Sequence, residues 1–180
     1  MPSYVALLRA VNLPAHNKVG MADLCKVATG LGFESARTLL ASGNLVFRGG
    51  AAATAKLETA LRAETKKRLG LDTDFFVRTA KEWDGIIAGN AFPDFSRRDP
   101  SHLVVVVLQA KPAPKAEAAL RDAVVGREEV RVAGRHAYIT YPDGIGTSKL
   151  TTALIERKLG ARGTARNWNT VLKLAAMMRE

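Results

Sequence analysis

The chain has 180 residues, of which 47% are hydrophobic and 24% charged, a composition typical of a folded globular protein and not of a disordered one. The 27 Lys and Arg residues outnumber the 17 Asp and Glu residues, which gives a net charge of +10 at pH 7. A single cysteine, Cys25, excludes an internal disulfide. Because no window holds the roughly 18 apolar residues of a membrane helix and the N-terminus lacks a secretory pattern, we expect a cytoplasmic protein without membrane contact.

The first half of the chain predicts alternating strands and helices. In chain order, the predicted elements are a strand over 4–13, a helix over 21–31, strands over 37–40 and 45–47, a helix over 54–69 and a strand over 73–77. Gly43-Asn44 suits the tight turn of a hairpin between the two short strands. The order βαββαβ is that of the ferredoxin-like, split βαβ fold.

The second half of the chain repeats this pattern after a short helix over 80–88. A segment rich in Pro, Asp and Arg, over 90–101, is interpreted as a linker. The elements predicted after it are a strand over 102–109, a helix over 115–125, a hairpin of strands over 129–133 and 136–141, and two helices after residue 149. We therefore expect an α+β protein with two ferredoxin-like subdomains, βαββαβ over residues 1–89 and βαββαα over residues 102–180.

Polar and cationic side chains stand just ahead of each of the two final helices. Thr147 or Ser148 is placed to cap the first of these helices, which Gly160 ends. Asn167 or Asn169 is placed to cap the second helix, whose apolar face includes Trp168. Capping explains the Thr, Ser and Asn residues, and burial in the core explains Trp168.

The same two helix starts form a candidate anion site. The first N–H groups of a helix lack internal partners and carry the positive end of its dipole, which attracts phosphate or carboxylate. The residues assigned to the site are Ser148, Lys149, Thr164, Arg166 and Asn167. From Lys149 to Lys173 the chain has six basic residues and one acidic residue, a net +5. This basic excess favours an anionic ligand or nucleic acid, although a merely solvated basic surface has the same composition.

A second group of candidate ligand-binding residues lies near the end of the first strand. Arg9 is a cation within an apolar run, so its charge requires a partner or a position that faces a ligand. Asn12, Lys18 and Asn44 lie in the strand ends and loops that meet it. The alternative is a structural hydrogen-bond network around Arg9 that fixes the hairpin.

The residues that usually carry metal or catalytic chemistry form no pattern of their own. His16, His102 and His136 are scattered, and neither a His-Glu-x-x-His nor a Cys-x-x-Cys motif occurs. A Gly-x-x-x-x-Gly-Lys loop and a Gly-x-Ser-x-Gly elbow are also missing. We therefore predict no metal and no cofactor, and the sequence does not show whether the protein is an enzyme.

Several short motifs together resemble a bacterial family catalogued as domain of unknown function 1697. The motifs that carry this resemblance are Leu7-Leu8-Arg9-Ala10-Val11-Asn12 with Asn17-Lys18 and Met21, Ser42-Gly43-Asn44-Leu45-Val46-Phe47, Ser148-Lys149-Leu150 and Arg166-Asn167-Trp168-Asn169-Thr170. The resemblance extends over essentially the whole chain. It implies two α+β subdomains of ferredoxin-like type and supplies no reaction.

Three functions fit these observations. The first is a binding module for phosphate-bearing ligands, with nucleic acid among the candidates, whose binding would weaken steeply with salt. The low aromatic content, 6%, with no basic residues interleaved, disfavours a platform for stacking bases. The second is a small enzyme acting on an anionic metabolite with Arg9, Lys149 and Arg166 as its cationic groups. The third is a protein-interaction domain that presents an apolar sheet face or edge.

Overall fold

Residues 1–9 and 19–180, the part that the computed structural model describes, form two antiparallel sheets of four strands each. By packing, the chain divides into two units, residues 1–85 with 173–180 and residues 86–172. The predicted fold class is confirmed: the chain is an α+β protein in which each sheet belongs to a ferredoxin-like subdomain. The predicted subdomain boundaries at residues 89 and 102 stay a prediction.

The first unit follows the predicted βαββαβ order. Its elements are β1 (Ser3–Leu8), α1 (Met21–Gly30), β2 (Glu34–Thr38), β3 (Asn44–Arg48), α2 (Thr54–Leu69) and β4 (Phe75–Thr79), after which α3 (Ala80–Ala88) begins directly. The strand order in the sheet is β2-β3-β1-β4. Alternate residues of β1, such as Tyr4 and Leu8, face a core that also holds Leu24 of α1 and Leu61 of α2, because successive side chains of a strand point to opposite faces.

The second unit repeats this sheet with different strand-to-helix connections. Its elements are α4 (Pro93–Arg98), a 3-10 turn (Pro100–His102), β5 (Leu103–Leu108), α5 (Ala116–Asp122), β6 (Glu129–Ala133), β7 (His136–Thr140), α6 (Thr152–Leu159), β8 (Gly163–Asn167) and the first turn of α7 (Trp168–Arg179), whose residues from Lys173 onward belong to the first unit. The segment over 90–101 that was interpreted as a linker thus contains α4 and the start of the 3-10 turn. The strand order is β6-β7-β5-β8, which corresponds to that of the first sheet.

The predicted βαββαα order of the second subdomain is wrong at one element. Residues 163–167, expected to lie between two helices, form the strand β8, which pairs with β5 and makes the order βαββαβ followed by α7. The strand escaped prediction because Thr164, Ala165 and Arg166 give no apolar alternation. Pairing with the buried strand β5 determines its conformation instead.

The two sheets agree residue by residue in their register. Val5 of β1 pairs with Arg78 of β4, and Val105 of β5 pairs with Arg166 of β8. The hairpins agree as well, since Leu8 N donates to Gly43 O and Leu108 N to Arg135 O, both at 2.9 Å. Adding 100 to a residue number in β1 therefore gives its counterpart in β5. The two units are structural repeats without a repeat in the amino-acid sequence.

The connection that leads into the second helix differs in length between the repeats. Residues 49–53 join β3 to α2, whereas residues 141–151 join β7 to α6, so the second connection has eleven residues where the first has five. The helices that follow correspond closely: Leu57 and Ile155, each the fourth residue of its helix, are both buried. The longer connection, hereafter the 141–151 loop, is the main local difference between the repeats.

Side chains of the helices bond to the backbone of outer strands. Val77 N of β4 donates to Glu58 Oε1 at 3.0 Å. Val132 N of β6 donates to Glu117 Oε2 at 2.7 Å, and Arg121 Nε donates to Val130 O at 3.1 Å. These bonds satisfy donors and acceptors on the side of each strand that has no neighbouring strand.

Candidate functional site

A cavity of about 430 Å³ lies in the second unit beside the 141–151 loop. Its apolar wall comes from β5, the loop and α6, through Val104, Leu150 and Ile155. Its polar lining consists of Ser148, Thr151, Thr152 and Asn167. Ile145, 45% exposed, lies at its margin with Gly146. A volume of this size suits a small molecule, since ligand pockets span roughly 300–1,000 Å³.

The 141–151 loop is held by hydrogen bonds at both ends. The hydroxyl of Tyr141 is buried and donates to Leu150 O at 2.9 Å. Ser148 Oγ accepts from Leu150 N at 3.0 Å and donates to Glu128 Oε1 at 2.5 Å. Burial, with a smaller contribution from the Glu128 charge, raises the pKa of Tyr141 to about 12. The loop therefore keeps a defined conformation around the cavity.

The start of α6 forms one side of the cavity. The structure corrects the predicted cap: the helix begins at Thr152, and Thr151 caps it by accepting from Leu154 N at 3.3 Å. Thr147 and Ser148 lie too far upstream, and the Ser148 hydroxyl is engaged by the loop. Gly160 ends the helix in the left-handed conformation, as predicted (φ 67°). The amides of Thr152 and Ala153 precede the first internal hydrogen bond of the helix, from Ile155 N to Thr151 O.

Strand β8 forms the opposite side of the cavity and carries three predicted site residues. Asn167 pairs with Val104 and shares its face of the sheet, whereas Arg166 pairs with Val105 and shares the other face. Arg166 Nη1 donates to Thr164 Oγ1 and to Ala165 O, both at 2.8 Å. Burial lowers the pKa of Arg166 to about 10. Arg166 thus belongs to the cavity lining because it lies in β8 next to Asn167. Its guanidinium bonds to Thr164 on the opposite face of the sheet.

The remaining predicted residues of this site have distinct positions. Asn167 Oδ1 accepts from Thr170 N at 3.0 Å, which confirms its predicted capping of α7. Trp168 is buried, as the alternative reading expected. Lys149 is exposed between Ser148 and Leu150 and does not line the cavity. The structure thus brings Ser148, Arg166 and Asn167 to one cavity, with Lys149 next to them in the chain.

The second predicted group lies in the first unit. Arg9 Nη1 is 3.8 Å from Asp74 Oδ2, and its side chain is 33% exposed. Arg62 Nη1 bonds to the other oxygen of Asp74 at 3.1 Å. Asn44 is buried, and its Nδ2 donates to Leu39 O at 2.7 Å within the hairpin. Asn12 and Lys18 lie outside the described residues. Arg9 takes part in an ion-pair network at the end of β1, and Asn44 holds the hairpin.

A buried arginine of the first unit was not predicted. Arg78 is 2% exposed, donates from Nη1 to Val77 O at 2.9 Å and lies 3.8 Å from Glu58 Oε1. The signal was available, because Arg78 follows the apolar run Phe75-Phe76-Val77 just as Arg9 follows one in β1. Its counterpart in the second unit is Arg166.

The described residues contain neither a cluster of metal ligands nor a membrane-spanning helix. In residues 1–9 and 19–180, no three His, Cys, Asp or Glu side chains come together as a metal site would require. No helix in the same ranges combines the length and apolar character needed to span a membrane.

Comparison with known proteins identifies a family and a fold. A family model described as "Protein of unknown function (DUF1697)" matches residues 1–138, a range that ends just before the 141–151 loop. The chain is similar to a solved structure, the conserved bacterial protein SP0830 from Streptococcus pneumoniae, with a TM-score of 0.76 and 18% identity over 98% of both chains. At this identity the similarity shows the fold alone. None of the curated proteins matches. The resemblance inferred from the motifs is confirmed: the chain belongs to the DUF1697 family of proteins of unknown function.

Proposed function

We propose that this protein binds a small ligand with a phosphate or carboxylate group in the cavity between the 141–151 loop, α6 and β8. The observation that carries the proposal is the position of the cavity at the start of α6. Thr152 lines the cavity there, and its hydroxyl and amide, together with the next amide of the helix, that of Ala153, are donors for an anion. The apolar wall of Val104, Leu150 and Ile155 accommodates the body of the ligand.

Charge supports an anionic ligand. The segment from Lys149 to Lys173 has a net charge of +5, and its Lys149, Arg157 and Lys158 side chains are exposed. Such charges raise the local concentration of anions. Because Ser148 donates to Glu128, its hydroxyl stabilises the loop, and anion contacts fall to Thr152 and the helix amides. Lys149 lies outside the cavity lining and adds positive charge next to Ser148 in the chain.

The dimensions of the cavity favour a small molecule over nucleic acid. A cavity of about 430 Å³ encloses a compact ligand, whereas a nucleic acid strand would contact only the exposed cations. The two kinds of binding differ in their salt dependence, because each phosphate contact of a polymer releases a counterion. Nucleic acid is therefore a separate arm of the test.

The test is a titration of the 15N-labelled protein with phenyl phosphate, followed by NMR chemical shifts, in wild type and in two variants. We expect shifts at Thr152, Ala153 and Asn167, and about tenfold weaker binding in the Thr152→Val, Lys149→Ala double variant, which loses a hydroxyl and a charge. Lys158→Ala, an exposed lysine of the same helix outside the cavity, is the matched control and should bind as wild type does.

Two outcomes would overturn the proposal. The first is the absence of saturable shifts around the start of α6. The second is equal weakening by the Lys158→Ala control, which would indicate general attraction to a basic surface. A parallel titration with single-stranded and duplex oligonucleotides at low and moderate salt distinguishes binding of nucleic acid from binding of a small ligand. If phenyl phosphate gives no saturable shifts and an oligonucleotide binds, nucleic acid replaces the small ligand as the proposed partner.

A further inference from the structure

We infer that the ligand presents one aromatic-sized ring to the cavity, at the place that the Tyr4 ring occupies in the first unit. This inference rests on the proposed function and specifies the class of ligand. At two positions that face the helices, the first unit has the larger side chain and the second unit the smaller one. Tyr4 corresponds to Val104, and Val77 corresponds to Ala165.

In the first unit, the chain itself fills this place. The Tyr4 ring stacks on Phe47, with ring centroids 5.5 Å apart. Its hydroxyl donates to Gly50 O at 3.1 Å and accepts from Ala52 N at 3.2 Å, in the short connection before α2. Tyr4 and Val77 are fully buried there. A phenol ring with a hydrogen-bonding tip thus completes the core between the sheet and the start of the second helix.

In the second unit, the corresponding side chains are smaller and a cavity takes their place. Val104 and Ala165 line it, and Ala165 is exposed where Val77 is buried. Tyr141 supplies a ring from the neighbouring strand and takes over the bond to the backbone before the helix through Leu150 O. The cavity retains a volume of about 430 Å³ beside this ring, so its apolar lining offers a contact surface for a second ring.

The polar end of the ligand follows from the bonds already made. The Leu150 carbonyl accepts from Tyr141, and the Leu150 amide donates to Ser148, so both backbone groups of Leu150 are engaged within the loop. The polar lining that remains belongs to Thr151, Thr152 and Asn167 at the start of α6. A ring whose substituent is a phosphate or carboxylate fits both parts of the cavity.

The test compares three probes in wild type: phenyl phosphate, glycerol phosphate and inorganic phosphate. The ring predicts that phenyl phosphate binds at least about tenfold more tightly than glycerol phosphate, because the ring buries apolar surface. Ala165→Val, which restores the side chain of the first unit at the cavity wall, should weaken phenyl phosphate about tenfold and leave inorganic phosphate unchanged. Val104→Tyr should have a larger effect of the same kind, and Val104→Ile, an apolar change without a ring, is its control.

The outcomes separate the two proposals. Equal affinity for phenyl phosphate and glycerol phosphate, with shifts at Thr152, would contradict the inference that the ligand carries a ring but would support the anion site. Binding of none of the three probes would overturn both. If Val104→Tyr fails to fold, as judged by circular dichroism, Ala165→Val decides alone, since Ala165 is exposed on an outer strand where valine is well tolerated. If Ala165→Val binds phenyl phosphate as tightly as wild type does, the inference that the ligand carries a ring is wrong.

Discussion

Arg78 and Arg166 occupy the same register position in the two sheets, and each donates from Nη1 to the carbonyl oxygen of the residue before it, at 2.9 and 2.8 Å. Both side chains are buried. A buried guanidinium is stable only where hydrogen bonds or an opposite charge replace water. The repeats thus share a buried cation as well as a sheet order.

The ion pair between Arg78 and Glu58 can be tested by removing one charge. Glu58→Gln keeps an oxygen for Val77 N but leaves Arg78 without this carboxylate, so we expect a loss of about 2–4 kcal/mol in the free energy of unfolding. Urea denaturation measures it. Glu64→Gln, at a surface pair on the same helix, should cost no more than about 1 kcal/mol. Equal losses in the two variants would show that burial of Arg78 does not depend on Glu58.

Close packing at Gly163 predicts a contrast between two glycine substitutions. A Cβ at Gly163 would meet Leu108 Cδ2, Val106 Cγ1 and Val107 O, each at 3.0 Å, whereas a Cβ at Gly146 would meet nothing within 4 Å. We expect Gly163→Ala to cost about 1–3 kcal/mol and Gly146→Ala to stay within about 0.5 kcal/mol of wild type. Thermal unfolding of both variants checks this, and a neutral Gly163→Ala would contradict the packing of β8 on β5.

The cap of α7 predicts how Asn167 tolerates substitution. Asn167→Ala removes the oxygen that accepts from Thr170 N, and we expect a loss of about 1 kcal/mol. Asn167→Asp retains that oxygen and adds a negative charge at the helix start, so it should keep the stability of wild type. Denaturant midpoints of the two variants distinguish these effects. A loss that is the same for both variants would show that the side chain acts otherwise than as a cap.

The raised pKa of Tyr141 predicts a change of stability at alkaline pH. Because burial raises the folded pKa of Tyr141 to about 12, above the ordinary tyrosine value of about 10, the native state keeps the proton longer. The associated stability, on the order of 2–3 kcal/mol, is present below pH 10 and lost between pH 10 and 12. At pH 8, Tyr141→Phe should be about 1 kcal/mol less stable than wild type, because Leu150 O loses its donor.

The free energies of unfolding of wild type and Tyr141→Phe should therefore become equal above pH 10, and at higher pH the variant should be the more stable protein. Urea denaturation from pH 8 to 11.5 measures this, with the tyrosinate absorbance near 295 nm as an independent record of ionisation. A difference between wild type and Tyr141→Phe that stays constant over this range would contradict the raised pKa of Tyr141.

Local patterns in the sequence were sufficient to predict most of the helices and strands. Apolar spacing defined α2 at its observed bounds, Thr54–Leu69, and strand alternation defined β6. The strand β8 was missed because its conformation depends on pairing with β5, a contact between residues about 60 positions apart in the sequence. Periodicity within a short window contains no information about such a partner.

The candidate site was predicted only in part for the same reason. Asn167 was correctly predicted to cap α7, but the cavity depends on the register that sets Val104 opposite Asn167. The prediction treated Arg166 as a cation that faces a ligand, whereas the strand directs it toward Thr164 on the other face. Neither the register nor the face can be read from composition.

The side-chain bonds at the outer strands have a consequence for the behaviour of the protein at high concentration. An outer strand with unbonded amides is a template on which another chain can add a strand, the first step of cross-β aggregation. Glu58 occupies the Val77 amide of β4, and Glu117 with Arg121 occupies the amide of Val132 and the carbonyl of Val130 in β6. These helix side chains thus engage backbone groups of β4 and β6 that would otherwise be open to pairing with a strand of another molecule.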